Sequence, residues 1–153
     1  MAYSGAMKRI LVALDASSRA VRVLHAALEL AVPFDAELRL FRCVVIPTEI
    51  PQQLWRTPEL DMTPLLIQQA DEEMRALSAQ VPAERLESAV ARVGVPWDMI
   101  VREATEFQAD LLVMGTKGHG LLDRLLGTTA SKVADHAPCN LFLVRDAVVL
   151  PTT

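Results

Sequence analysis

Residues 110–130 read DLLVMGTKGHGLLDRLLGTTA, and this stretch decides the fold that the chain can adopt. Its first part, Leu111 to Met114, is a short apolar run that predicts a strand buried in a parallel sheet. Four glycines follow it: Gly115, Gly118, Gly120 and Gly127. Thr128 and Thr129 then stand where a helix would begin. Because glycine lets backbone amides approach an anion and a helix start attracts negative charge, the unit is suited to binding phosphate, although a plain strand-to-helix turn fits it equally well.

Apolar runs and helical stripes alternate along the whole chain. The segments predicted as strands are residues 8–14, 37–45, 86–93, 111–114 and 140–145. The predicted helices are one that Ser17 or Ser18 caps and Pro33 ends, one that runs from Thr63–Pro64 to Val81–Pro82, and two at residues 97–107 and 128–137. Strict alternation predicts an α/β fold, a parallel sheet with helices on both faces and right-handed crossovers.

The carboxyl ends of the strands are the expected place for a ligand. In such sheets ligands bind where neighbouring connections leave toward opposite faces. Asp15 follows the first strand and the Gly115 loop follows the fourth. If these two strands are neighbours, both features converge on one crevice.

Composition excludes several classes of protein. The 153 residues suit one domain, and a hydrophobic share of 52% suits a packed core. No apolar run is long enough to cross a bilayer, and a net charge of −4 argues against binding nucleic acid. Residues 1–6 lack the pattern of a secretion signal, so a cytoplasmic protein is expected. Cys43 and Cys139 lie far apart in apolar segments and are expected to be free thiols.

The glycine loop does not match the two standard nucleotide motifs. A phosphate loop of the G-x-x-x-x-G-K-[ST] type requires a lysine directly before the hydroxyl residue, whereas Lys117 lies among the glycines. A dinucleotide loop requires G-x-G-x-x-G after the first strand, but Asp123 stands at the third glycine position and the loop follows the fourth strand. The sequence also contains no nucleophile elbow and no H-E-x-x-H, so we expect a protein that is not an enzyme and that would turn over a bound nucleotide slowly at most.

The spacing of the loop resembles that of the universal stress protein family. Nucleotide-binding members carry G-x2-G-x9-G-[ST], and here Gly115-x2-Gly118 precedes Gly127-Thr128 with eight intervening residues, one fewer than in the family pattern. The segments VALDASS (12–18), GVPWDMIVREATEFQADLLVMG (94–115) and SKVADHAPCNLFLVR (131–145) are also similar to the family.

The resemblance implies a three-layer, Rossmann-like sandwich with a five-stranded parallel sheet in the order 3-2-1-4-5. A single universal stress protein domain would cover residues 7–146, with residues 1–6 an extension or an artificial remnant and 147–153 a tail. It also implies a homodimer through the last strand, 140–145, whose apolar edge would otherwise be a hazard. The alternative is that Val148 to Leu150 fold back over that edge.

The resemblance further implies an ATP site and assigns its residues. The expected nucleotide-binding residues are Ala13, Leu14, Asp15, Cys43, Met114, Gly115, Gly118, His119, Gly127, Thr128 and Thr129. Asp15 would accept hydrogen bonds from the ribose or help to hold Mg²⁺, or else only cap the next helix. Cys43 would contact adenine through its main chain, or else be an inert core residue.

The function that follows is a stress-response protein that binds ATP as a regulatory ligand and an as yet unidentified protein partner. The competing interpretation is a dimeric interaction module that binds no nucleotide, which the shortened loop favours.

Overall fold

The computed structural model describes residues 6–46, 62–116 and 126–145 of the chain. Within them, the strands are β1 (Arg9–Ala13), β2 (Glu37–Val44), β3 (Leu86–Val93), β4 (Leu111–Gly115) and β5 (Asn140–Val144). The helices are α1 (Ala20–Phe34), α2 (Thr63–Ser78), α3 (Pro96–Phe107) and α4 (Thr128–His136). All strand pairs are parallel, and the sheet order is β3-β2-β1-β4-β5. The expected α/β fold and strand order are therefore confirmed, and β1 and β4 are neighbours.

Helices cover both faces of the sheet, which gives three layers. Successive strand residues point to opposite faces, so Ile10 and Val12 pack with α1 and α2 in one core, and Leu11 and Ala13 pack with α3 and α4 in the other. The chain moves from the first face to the second between β3 and β4. This change of side makes the connections after β1 and β4 leave the sheet in opposite directions.

Two details of α1 differ from the sequence-based prediction. Pro33 does not end the helix but lies in its last turn, and the left-handed Asp35 (φ 51°, ψ 47°) closes it. Pro33 lacks an N–H for the preceding turn, but only Phe34 follows it in the helix, so this position tolerates a proline. Neither Ser17 nor Ser18 caps the helix; the N-cap residue is Arg19, which forms no capping bond through its side chain.

Smaller differences lie at other element ends. Helix α2 ends at Ser78, before the expected stop at Val81–Pro82, and a turn then brings Val81 back to the core. In α4 the apolar pattern assigns Ala134 to the inner face, but the residue is exposed and only Ala130 and Val133 are buried. The short helix has room for one buried stripe.

A buried ion-pair network joins β2, β3 and α3. Glu103 is 2% exposed, and its carboxylate accepts hydrogen bonds from Arg39 Nη1 at 2.8 Å and Arg92 Nε at 3.3 Å. Arg39 also forms a bidentate pair with Glu87 and lies 4.3 Å above the ring centre of Phe107. Because every charge has a partner, the network offsets the cost of burying Glu103.

Candidate functional site

A cavity of about 540 Å³ opens at the carboxyl ends of β1 and β4, where the connections to α1 and α4 diverge. This is the crevice that the topology predicts. It is lined by residues from both faces of the sheet: Ala13, Leu14, Asp15, Ala16, Ser17, Arg19, Arg22, Val23, Phe41, Arg42, Cys43, Val44, Val45, Leu66, Gln69, Pro96, Ile100, Met114, Gly115, Thr116, Thr129, Ala130 and Val144.

Most of the described residues that the sequence singled out for nucleotide binding lie together around this cavity. The ones that line it are Ala13, Leu14, Asp15, Cys43, Met114, Gly115 and Thr129. Gly127 and Thr128 are outside the lining, at the start of α4. The expected contacts of Gly118 and His119 lie outside the described residues.

Gly127 connects the end of β4 to the beginning of α4. Its N–H donates to the carbonyl oxygen of Thr116 at 2.7 Å, and its own carbonyl oxygen accepts from Ser131 N–H at 2.9 Å. Thr116 is buried, so this contact fixes the start of α4 against the edge of the sheet. It also holds Thr129 where it lines the cavity.

Asp15 holds the turn that leads into α1. Its Oδ1 accepts hydrogen bonds from Ser17 N–H at 2.9 Å and from Ser17 Oγ at 2.6 Å. Ser17 Oγ in turn accepts from the N–H of Arg19 at 3.2 Å. The carboxylate is exposed and lines the cavity, so the turn engages one of its oxygens while the group remains at the site.

Cys43 lies half-buried at the end of β2, and its thiol donates to the carbonyl oxygen of Gly94 at 3.2 Å. Burial disfavours the thiolate and raises the pKa of Cys43 to about 11. Near neutral pH the residue is therefore a neutral thiol that ties β2 to the turn after β3. It contributes apolar surface to the cavity and no negative charge.

Three arginines of the lining were missed by the sequence analysis. Arg19 and Arg22 belong to the start of α1, and Arg42 belongs to β2 and forms an ion pair with Glu73 of α2. A signal was available, because Arg19 and Arg22 are three residues apart and therefore share one side of a helix. With Asp15 as the one carboxylate in the described lining, the cavity is net positive in a chain whose net charge is −4.

Two other kinds of feature are absent from the described residues. No group of three or more His, Cys, Asp and Glu side chains in the described parts of the chain is arranged to hold a metal ion. No helix in those same parts has the length and hydrophobicity to span a membrane.

Both the sequence and the fold are similar to those of universal stress proteins. The model of the universal stress protein family matches residues 7–145. A universal stress protein of Methanothermobacter thermautotrophicus is 50% identical over 58 residues, 37% of this chain but only 39% of that protein. One from Synechocystis is 28% identical over 149 residues, which cover 90% of this chain and 97% of that protein. A universal stress protein solved in complex with cAMP has a TM-score of 0.60 at 25% identity, over 93% of this chain and 99% of that one.

Proposed function

Since the chain belongs to the universal stress protein family, we propose that it binds an adenine nucleotide, ATP, in the cavity between β1 and β4 and uses it as a regulatory ligand. The observation that carries this proposal is the make-up of the lining, which combines apolar side chains, called here the apolar wall, with the arginines of α1, called here the cationic wall. A volume of about 540 Å³ lies within the range of roughly 300–1,000 Å³ that is usual for small-molecule sites.

The apolar wall suits a flat, uncharged base. The apolar lining includes Leu14, Phe41, Val44, Ile100 and Leu66. The strand end at Cys43 offers main-chain groups and a neutral thiol, and the charge of the neighbouring Arg42 is paired with Glu73. Burial of an aromatic ring against such side chains is favoured by about 25 cal/mol for each Å² of apolar surface removed from water.

The cationic wall suits the phosphates. It contains the arginines of α1, together with Thr129 at the start of α4. The solved relative that contains cAMP is a precedent for an adenine nucleotide in this fold. In our proposal Gly115, Gly127 and Thr128 border the phosphates, Gly118 and His119 approach them from the glycine loop, and Asp15 faces the ribose or a bound Mg²⁺.

Regulation, and not turnover, is the proposed outcome of binding. Phosphoryl transfer to water requires a group that positions or deprotonates the water. The carboxylate that the described lining offers, Asp15, is exposed and held by Ser17. We therefore propose a non-catalytic cytoplasmic protein that hydrolyses ATP slowly at most and presents its ligand-bound state to a protein partner.

We also propose that β5 forms a homodimer interface. It is an edge strand with β4 as its neighbour in the sheet, and Phe142 on it is 42% exposed. Apolar edge strands tend to pair with another chain. A second β5 would cover this edge and bury the phenyl ring.

Calorimetry and thermal unfolding with ATP and magnesium test the nucleotide proposal. Wild-type protein should bind ATP and unfold at a higher temperature with it, because a ligand that binds only the folded state stabilises that state. Asp15→Asn should weaken binding, whereas Asp135→Asn, an equal charge change on the exposed side of α4, should not.

The outcome against the proposal is equally clear. If millimolar ATP produces no heat and no thermal shift in wild-type protein, and no adenylate copurifies by mass spectrometry, the nucleotide assignment fails. A dimer in sedimentation under those conditions would favour the module that binds no nucleotide.

A further inference from the structure

The first turn of α1 carries positive charge where a helix ordinarily favours negative charge. Arg19 is the N-cap residue, Arg22 follows three residues later, and the turn contains no acidic residue. Because free N–H groups make a helix start positive, cations there are unfavourable for the helix itself. The arrangement therefore does not stabilise α1, yet both arginines line the cavity.

The two side chains differ in what holds them. Arg19 Nε lies 3.4 Å from Ser17 Oγ, within the hydrogen-bonded turn that Asp15 anchors. Arg22 is exposed and forms no ion pair with any residue in the described parts of the chain. Arg22 can therefore turn to a ligand without breaking an ion pair, and without the bond to Ser17 that Arg19 forms.

The packing of α1 places this turn beside the end of β4. A Cβ atom built on Gly115 would lie 3.7 Å from Cγ2 of Val23, the residue next to Arg22. The arginines thus stand on the same side of the cavity as Gly115, the first glycine of the phosphate-suited stretch. Phe41 and Val44 of the apolar wall belong to β2, on the other side of β1, as does Arg42, whose charge is paired with Glu73.

We propose that Arg22, assisted by Arg19, binds the polyphosphate end of the ligand and makes this site prefer multiply charged phosphates over an uncharged nucleoside. This inference rests on the proposed function and specifies which part of the ligand is selected. A guanidinium forms paired hydrogen bonds to phosphate oxygens, and the helix start adds to the attraction once an anion is present. The ligand thereby neutralises the charge that is unfavourable in the free protein.

The test compares Arg22→Gln with Arg102→Gln in the full chain. Arg102 lies on α3, is 69% exposed at its side chain and pairs with Asp98, so its loss changes the net charge equally but outside the cavity. Titration calorimetry with ATP, adenosine and inorganic tripolyphosphate should show that Arg22→Gln weakens ATP and tripolyphosphate binding about tenfold, in line with loss of a charged hydrogen bond at an exposed site. Adenosine affinity should stay within about twofold, and Arg102→Gln should match wild type.

A stability measurement separates binding from a structural role. Without ligand, the melting temperature of Arg22→Gln should equal or exceed that of wild type, because an unfavourable helix-start cation has been removed. A lower melting temperature would show that Arg22 supports the fold and would overturn the inference.

The inference and the proposed function fail in different ways. If Arg22→Gln binds ATP as wild type does, the role of Arg22 is wrong while nucleotide binding stands. If wild type binds tripolyphosphate through Arg22 but neither ATP nor adenosine, the anion site stands and the nucleotide assignment fails. If wild type binds none of the three, both are overturned.

Discussion

The thiol of Cys43 offers a direct measurement of the cavity, because its reactivity depends on burial and on occupancy. Burial raises its pKa to about 11, against about 8.5 for an unperturbed cysteine. At pH 8 roughly one in a thousand Cys43 side chains is then a thiolate, against about a quarter for a free thiol, a ratio of about 200. The higher basicity of the thiolate recovers about tenfold in intrinsic nucleophilicity. We therefore expect Cys43 to react with a small disulfide reagent about 20-fold more slowly than a short cysteine peptide, before any steric hindrance.

The assay follows one thiol at a time. In a Cys139→Ser variant, mass spectrometry of the labelled protein reports Cys43 alone. Between pH 7 and pH 9 the labelling rate of Cys43 should rise about tenfold for each pH unit. The labelling rate of the free peptide should level off in the same range, once the pH passes the pKa of its thiol. ATP should slow the reaction further, because Cys43 lines the cavity.

Two results would refute this reasoning. Labelling of Cys43 at the rate of the free peptide near pH 8 would mean that the thiol is not buried as described. Slow labelling that saturating ATP leaves unchanged would mean that the nucleotide does not occupy this cavity. The Cys43→Ser variant, labelled at Cys139, is the control, since Cys139 is half-buried but is not among the lining residues.

Three further predictions concern stability and assembly. Glu103→Gln should lower the free energy of unfolding by about 2 kcal/mol, and the melting temperature by roughly 4–8 °C, because Arg39 retains Glu87 but loses its buried partner. A change below about 0.5 kcal/mol in urea unfolding would show that the buried ion pairs do not stabilise the fold. The bond from Arg39 holds the pKa of Glu87 below its usual value. The stabilisation that the ionised Glu87 gives the fold is therefore complete above its unfolded-state pKa and is lost as the pH falls through its folded-state pKa. Glu87→Gln should flatten the acid side of a curve of stability against pH. Phe142→Asp should yield monomers in sedimentation with the ligand affinity unchanged, and a persistent dimer would move the interface away from β5.

The architecture could be predicted because it depends on patterns that extend over many residues. The apolar runs at 111–114 and 140–145 and the stripes between them are strong signals for buried strands and covering helices, and alternation of the elements leaves few topologies. The fold class and the strand order were confirmed. Element ends were less predictable, because they depend on single residues and local hydrogen bonds. Pro33 lies within α1, and Ser17 accepts a bond from Arg19 without being the N-cap residue.

The three arginines of the cavity were missed for a physical reason. In sequence, Arg19 and Arg22 look like ordinary surface residues of an amphipathic helix, and Arg42 looks like a polar residue on an alternating strand. Their common feature is a position at the carboxyl edge of the sheet, which appears only when β1, β2 and α1 are assembled. Likewise, nothing in the local pattern around Glu103 shows that two arginines from other strands reach it.

Asp15 does not cap α1, whose N-cap residue is Arg19, but it holds the turn that comes before that helix. Its Oδ1 is engaged by Ser17, which keeps the chain after β1 in the turn that leads to α1. That turn determines where Arg19 and, one helical turn later, Arg22 lie relative to Gly115. A carboxylate that holds the turn thus also positions the positive groups, even before its second oxygen meets a ribose or a cation. Loss of Asp15 should therefore weaken binding of tripolyphosphate as well as of ATP, although a carboxylate by itself repels both.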